Sequence, residues 1–202
     1  MLSSIAQWII DLGISDRGTG IERARAVGEK VQRAGFDAID GLTHLQSAHF
    51  LLLGLTARAQ GLHQASVEAL EADNPYSTFT LIRSYAENAA AILYAIGHPK
   101  KIDAMLNLGE AKVSIGQIVS YANQGSRRFG QFKNIYSELS QYAHPMSTSI
   151  FASHKVSDDN QVVFSSKPAF KHDSDFLVAS AWIVEMSLAN AHLIAELGDM
   201  YR

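Results

Sequence analysis

The chain has 202 residues, 47% hydrophobic and 18% charged, with 17 Lys plus Arg against 20 Asp plus Glu and a formal net charge of −3. That composition holds enough apolar material for a core and is not that of a disordered chain, and its acidic balance supplies no global basic field for nucleic acid. Cysteine is absent, which excludes disulfides, thiolate metal sites and cysteine nucleophiles.

The opening Met1-Leu2-Ser3-Ser4 has no basic region leading into a long apolar stretch, so no signal peptide is expected. Leu2, Ile5, Ile9 and Leu12 recur at helical spacing, which predicts a short amphipathic helix within residues 1–20. Gly13 and then Asp16-Arg17-Gly18-Thr19-Gly20 read as breaks after it. A charged helix is predicted from Ile21 to about Ala34, its Glu22, Arg23, Arg25, Glu29, Lys30 and Arg33 forming a solvated face. From Phe36 to about Ala72 the pattern stays helical, with a seam of Leu42, Leu45, Leu52 and Leu55. The most apolar run of the sequence is expected to be Phe50 to Leu55, far short of the roughly 20 residues of a membrane helix. Gly41, Gly54 and Gly61 interrupt the pattern. Each costs about 1 kcal/mol against alanine in a helix interior, which points to close helix approach or a kink.

Asp73-Asn74-Pro75 reads as a turn. The next helix spans about Tyr76 to Ile96, with Phe79, Ile82, Ala86, Ala89, Leu93 and Ile96 as its core stripe, and Gly97-His98-Pro99 ends it. Short helices follow over about Lys100 to Leu108 and Glu110 to Ala122, with Asn123-Gln124-Gly125-Ser126 as a turn. Another helix runs from about Phe129 to Ala143. Ser149 to Val156 and Gln161 to Ser165 are then short and rich in β-branched or aromatic residues, the pattern of a hairpin or extended loop within 147–170. Phe176, Ala179, Ile183, Met186, Leu193 and Leu197 mark a long C-terminal helix over about 172–200, with Asp173, Ser174 or Asp175 as its cap. The expected fold is a single all-α domain over 1–202, an antiparallel helical bundle across 21–146 with one non-helical excursion near 148–168.

Chemistry is concentrated in two segments. Tyr136, Ser140 and His144 lie four apart on one helix, and Pro145 should stop that helix near His144. The negative end of the helix dipole favours the imidazolium there, so His144 is either an acid/base or a polar cap. Arg83 and Glu87, four apart on the preceding long helix, are either an internal ion pair or an anion-binding pair in which Glu87 holds the Arg83 guanidinium. Arg127 and Arg128 precede the His144 helix, where positive charge opposes the dipole, so helix stability is not their role; they either contact acidic residues elsewhere or an external anion, or decorate the surface. None of the eight histidines is paired at four-residue spacing and no Glu-x-x-His occurs. Phosphate loops, dinucleotide fingerprints and Gly-x-Ser-x-Gly elbows are missing too. No metal and no cofactor are expected.

Leu81-Ile82-Arg83-Ser84-Tyr85-Ala86-Glu87 resembles the L-x-R-S-x-x-E helix of the DUF5677-like bacterial proteins, and Tyr136-x-x-Leu139-Ser140-x-Tyr142-x-His144-Pro145 resembles their later Y-x-x-L-S-x-Y-x-H-P/G segment. Over roughly Phe36 to Met146 the chain is thereby similar to the wider HEPN superfamily of helical bundles. That resemblance implies a homodimer of a prokaryotic defence or stress system with RNA or protein partners; the missing signal peptide and the shortness of the most apolar run lead us to expect a cytoplasmic protein with no membrane. Active HEPN ribonucleases carry an arginine separated from their histidine by four to six intervening residues; here Ser137, Glu138 and Leu139 fill that window. The missing arginine and the acidic balance favour an interaction and dimerisation protein without catalysis, in which His144, Ser140 and Arg83 form a polar cluster. The alternative is a metal-independent ribonuclease or RNA-binding protein, with His144 as acid/base and Arg83, with or without Arg128, on phosphate.

Overall fold

Residues 5–42, 44–124, 132–145, 149, 154–156, 159, 161–164 and 167–202 are described in a computed structural model, and the fold is all-α. The helices are α1 (Gln7–Asp11), α2 (Arg17–Ala26), α3 (Gly28–Ile39), α4 (Ser47–Glu71), α5 (Pro75–Gly97), α6 (Ile102–Met105), α7 (Ile115–Gln124), α8 (Phe132–Ala143) and α9 (Asp173–Tyr201). A 3₁₀ turn, Pro99–Lys101, joins α5 to α6. Strands β1 (His154–Val156) and β2 (Val162–Phe164) pair antiparallel, with His154 opposite Phe164 and Val156 opposite Val162.

Several helix boundaries depart from the periodic reading, each for a local reason. The segment from Asp16 to Gly20 starts a helix instead of breaking one. The Asp16 side chain accepts from the Thr19 amide at 2.8 Å, and the Thr19 hydroxyl accepts from the Asp16 amide at 3.0 Å. This reciprocal cap outweighs the two glycines. One of them is useful: a Cβ on Gly20 would lie 2.7 Å from Ser180 Oγ, so its absence lets α2 press on α9. The predicted helix from Ile21 to Ala34 is divided at Val27 between α2 and α3. The pattern from Phe36 to Ala72 is also divided. Gly41 sits at φ 74° in the connection between α3 and α4, a left-handed conformation open to glycine. Leu45 therefore lies ahead of α4 and is exposed instead of joining the seam. α7 starts only at Ile115, where Ser114 and Gln117 exchange side-chain-to-amide bonds in a second reciprocal cap, and Asn123 and Gln124 continue the helix. At α9 the cap position is His172, with Asp173 and Asp175 in the first turn, where acidic charge suits the dipole.

Asn74 caps α5 by accepting from the Ser77 amide at 3.2 Å, and Pro75 occupies the first turn. The short turn makes α4 and α5 antiparallel, so that Asn88 reaches back to the Leu55 carbonyl. α9 runs parallel to α5 and antiparallel to α4: Asn190 meets Asn88 at 2.9 Å, His63 meets Ser187 at 3.0 Å, and His49 meets the Tyr201 carbonyl at 3.0 Å. The core is centred on α5 and α9, where Phe79, Ile82, Tyr85, Phe176, Ile183 and Ile194 are sealed from solvent. By length and composition α9 passes for a membrane span, with an 18-residue window of mean hydropathy 1.4. Small residues dilute its apolar stripe, so that Phe50 to Leu55 stands out more in the sequence. That window is 72% buried against the other helices.

A charged clamp locks one end of the assembly. The Arg17 guanidinium bonds Asp73 at 2.9 Å and Asp173 at 2.7 Å, and lies 4.6 Å over the Phe176 ring. One side chain thus joins the starts of α2 and α9 to the turn between α4 and α5.

Candidate functional site

α8 lies antiparallel along α5. Its Phe132 and Leu139 are buried, and Tyr142 stacks on Phe79 with ring centroids 4.0 Å apart. These apolar contacts fix the rotation of α8. Tyr136 is thereby turned toward the polar stripe of α5, where Arg83 and Glu87 sit one turn apart.

The Tyr136 hydroxyl is the hub. It accepts from Arg83 Nη2 at 3.0 Å and donates to Glu87 Oε1 at 2.8 Å. Arg83 Nη2 and Glu87 Oε1 are themselves 3.5 Å apart, with side chains 24% and 20% exposed. The guanidinium carbon lies 5.1 Å from the centre of the Tyr136 ring, and that ring stacks on Phe132. Burial pushes the Tyr136 phenol above its ordinary range, opposed by the bond from Arg83 and reinforced by Glu87. The hydroxyl therefore keeps its proton for Glu87.

His144 stands at the open edge of the group. Its backbone amide still bonds the Ser140 carbonyl at 3.2 Å, so helical bonding reaches the residue before Pro145. Its side chain is exposed, and Nε2 is 3.3 Å from Arg83 Nη1. A guanidinium can only donate. For the two side chains to be hydrogen-bonded, Nε2 has to be the acceptor.

Arg83, Glu87, Tyr136 and His144 are therefore brought together. Ser140 is not: its hydroxyl donates to the Tyr136 carbonyl of its own helix at 2.7 Å. Arg127 and Arg128 lie outside the described residues. Both terminal nitrogens of Arg83 are engaged by protein groups, while its Nε is buried with no hydrogen-bond partner among the described residues. Chemically the group is one cation beside one carboxylate, bridged by a phenol, with an imidazole at the rim. The Arg17 clamp was invisible in the sequence, since its partners Asp73 and Asp173 sit far along the chain. So was a second polar-aromatic grouping around Trp8 and Trp182. Comparison with protein-family models, with curated proteins and with solved structures returns no match.

Proposed function

We propose that this chain is a HEPN-like helical interaction protein of a prokaryotic defence or stress system, assembling as a homodimer and working without catalysis. The observation that carries this reading is the engagement of Arg83. Stabilising a phosphate in metal-free RNA cleavage needs positive charge free to meet the developing negative charge. Arg83 is instead held on Tyr136, Glu87 and His144, an arrangement suited to fastening α8 on α5. Association is supported by α4, where Phe50, Leu53, Gly54 and Ala57 share an exposed outward face. Apolar surface gathered on one face marks interaction sites.

Light scattering coupled to size exclusion tests the assembly. Wild type should elute with the mass of a dimer and the Phe50→Asp, Leu53→Asp double variant with that of a monomer, at unchanged helicity. A monomeric wild type would remove the dimer from the proposal.

One observation favours the ribonuclease reading: His144 is exposed and lies beside a cation. Mixed RNA incubated with the protein in EDTA should stay intact. Cleavage by wild type that disappears in His144→Ala would replace the interaction reading with the enzymatic one.

A further inference from the structure

Trp8 and Trp182 are the two tryptophans of the chain. Both line one groove of about 690 Å³ between α1, α8 and α9. Ile9 is buried and anchors α1, which sets Trp8 over the groove that Trp182 closes from the core side. Ile135 and Met186 add apolar wall, and Glu138 and Glu185 bring two carboxylates. The groove is separate from the Arg83 group although α8 serves both. At 100° per residue, Ile135 and Glu138 fall on a different face of the helix from Tyr136.

The charge of this groove is one-sided. Among the described residues, no Lys, Arg or His lines it. Neither Glu138 nor Glu185 has a hydrogen bond or ion pair among the described residues. Glu185 is half-buried on the core helix α9, between the buried Val184 and Met186. Burial pushes both carboxyls above their ordinary range, and Asp175 adds to the effect at Glu138. Partly dehydrated carboxylates without a partner cost stability, and a cation placed between them offsets that cost. An indole is also the aromatic face that a cation prefers. The volume falls within the several hundred Å³ range typical of small-molecule sites, not of a macromolecular interface.

From this we infer that the α1–α8–α9 groove is a binding site for a small organic cation, an ammonium carrying an apolar body. Glu138 and Glu185 supply the counter-charge, and Trp8, Trp182 and Met186 cover the body. The inference does not rest on the dimeric, non-catalytic reading above.

Because both tryptophans line the groove, intrinsic fluorescence of the full chain reports on it directly. Benzyltrimethylammonium is the probe, and neopentylbenzene, in which carbon replaces the charged nitrogen, is its uncharged match. The ammonium should change the emission saturably, and the neutral compound should bind at least tenfold more weakly. Glu138→Gln and Glu185→Gln should each weaken ammonium binding about tenfold, equivalent to about 1.4 kcal/mol, and leave the neutral compound unchanged. Circular dichroism checks the Glu185 variant. If it loses helicity, Glu138→Gln, on the exposed side of α8, decides the matter alone. Equal response to both compounds, a response that does not saturate, or full affinity in the glutamine variants would overturn the inference. Saturation by a lysine- or arginine-rich peptide but not by the small ammonium would overturn it in favour of a protein partner.

Discussion

Replacing Tyr136 with phenylalanine removes one oxygen from the contact between α5 and α8 and leaves the rest in place. The ring can still stack on Phe132 and lie over Arg83. Two hydrogen bonds disappear, at 3.0 Å from Arg83 and at 2.8 Å to Glu87. Bonds to charged groups contribute about 1.5–3 kcal/mol each when well buried. Here Arg83 and Glu87 are 24% and 20% exposed, so water recovers part of each. Glu87 can also close its 3.5 Å separation from Arg83 once the phenol is gone. The net loss expected from Tyr136→Phe is therefore about 1.5–2 kcal/mol, near the low end for a single such bond. Urea denaturation followed by circular dichroism measures it. A cycle with Glu87→Gln should show coupling of about 0.5–1 kcal/mol, since the phenol and the carboxylate belong to one network. A loss below about 0.5 kcal/mol, or strict additivity in the cycle, would refute the view that this hydroxyl fastens α8 to α5.

Two further outcomes follow from the packing and from burial. Gly198→Ala and Gly61→Ala offer the same gain in helix propensity, about 1 kcal/mol, but a Cβ at Gly198 would lie 2.6 Å from Ala38 Cβ and 2.9 Å from Ala38 Cα, whereas Gly61 faces open space. Gly61→Ala should therefore raise the urea midpoint, while Gly198→Ala should lower it, because overpacking costs about 1–3 kcal/mol; midpoints that rise together would refute the close approach of α3 and α9. At His63, burial holds the imidazole below its ordinary value of 6.5, so the unfolded chain takes up the proton first. The stability linked to this group is complete above the unfolded value and is lost as pH falls through the folded one. Wild type should melt lower at about pH 5.5 than at about pH 7.5, and His63→Gln should shrink that difference. The comparison between variants cancels the opposite drift of Glu138 and Glu185, whose carboxyls are raised. An unchanged pH dependence in the variant would remove His63 from the account.

The long helices were readable because their burial is periodic. The stripe of Phe79, Ile82, Ala86, Ala89 and Leu93 is sealed in the core, as are Phe176, Ile183, Met186 and Leu197 of α9. Arg83 and Glu87 were recognisable as a pair by their spacing, and Tyr136 with His144 by theirs. What spacing does not encode is a meeting across two helices. The role of Tyr136 as bridge, and the turning away of Ser140, depend on the rotation of α8 that Phe132, Leu139 and Tyr142 set. Short-range signals misled where two of them competed. Glycines at 18 and 20 suggest a break, yet the exchange between Asp16 and Thr19 wins because it satisfies amides that would otherwise lack partners. The acidic groove left no trace, since Trp8 and Trp182 approach only after α1 docks on α9.

The position of α9 has a consequence for synthesis. This helix packs on α2, α3, α4 and α5, yet it follows all of them in the chain. Every element it covers therefore leaves the ribosome before it does. Until Asp173–Tyr201 emerges, Phe79, Tyr85 and Ile82 lack the surface that seals them, and the polar Asn88 lacks Asn190. Folding of the core waits until α9 has been synthesised, and the nascent chain presents α4 and α5 as an open apolar sheet of helices for the whole interval. Slowing elongation would lengthen that exposure instead of aiding the fold.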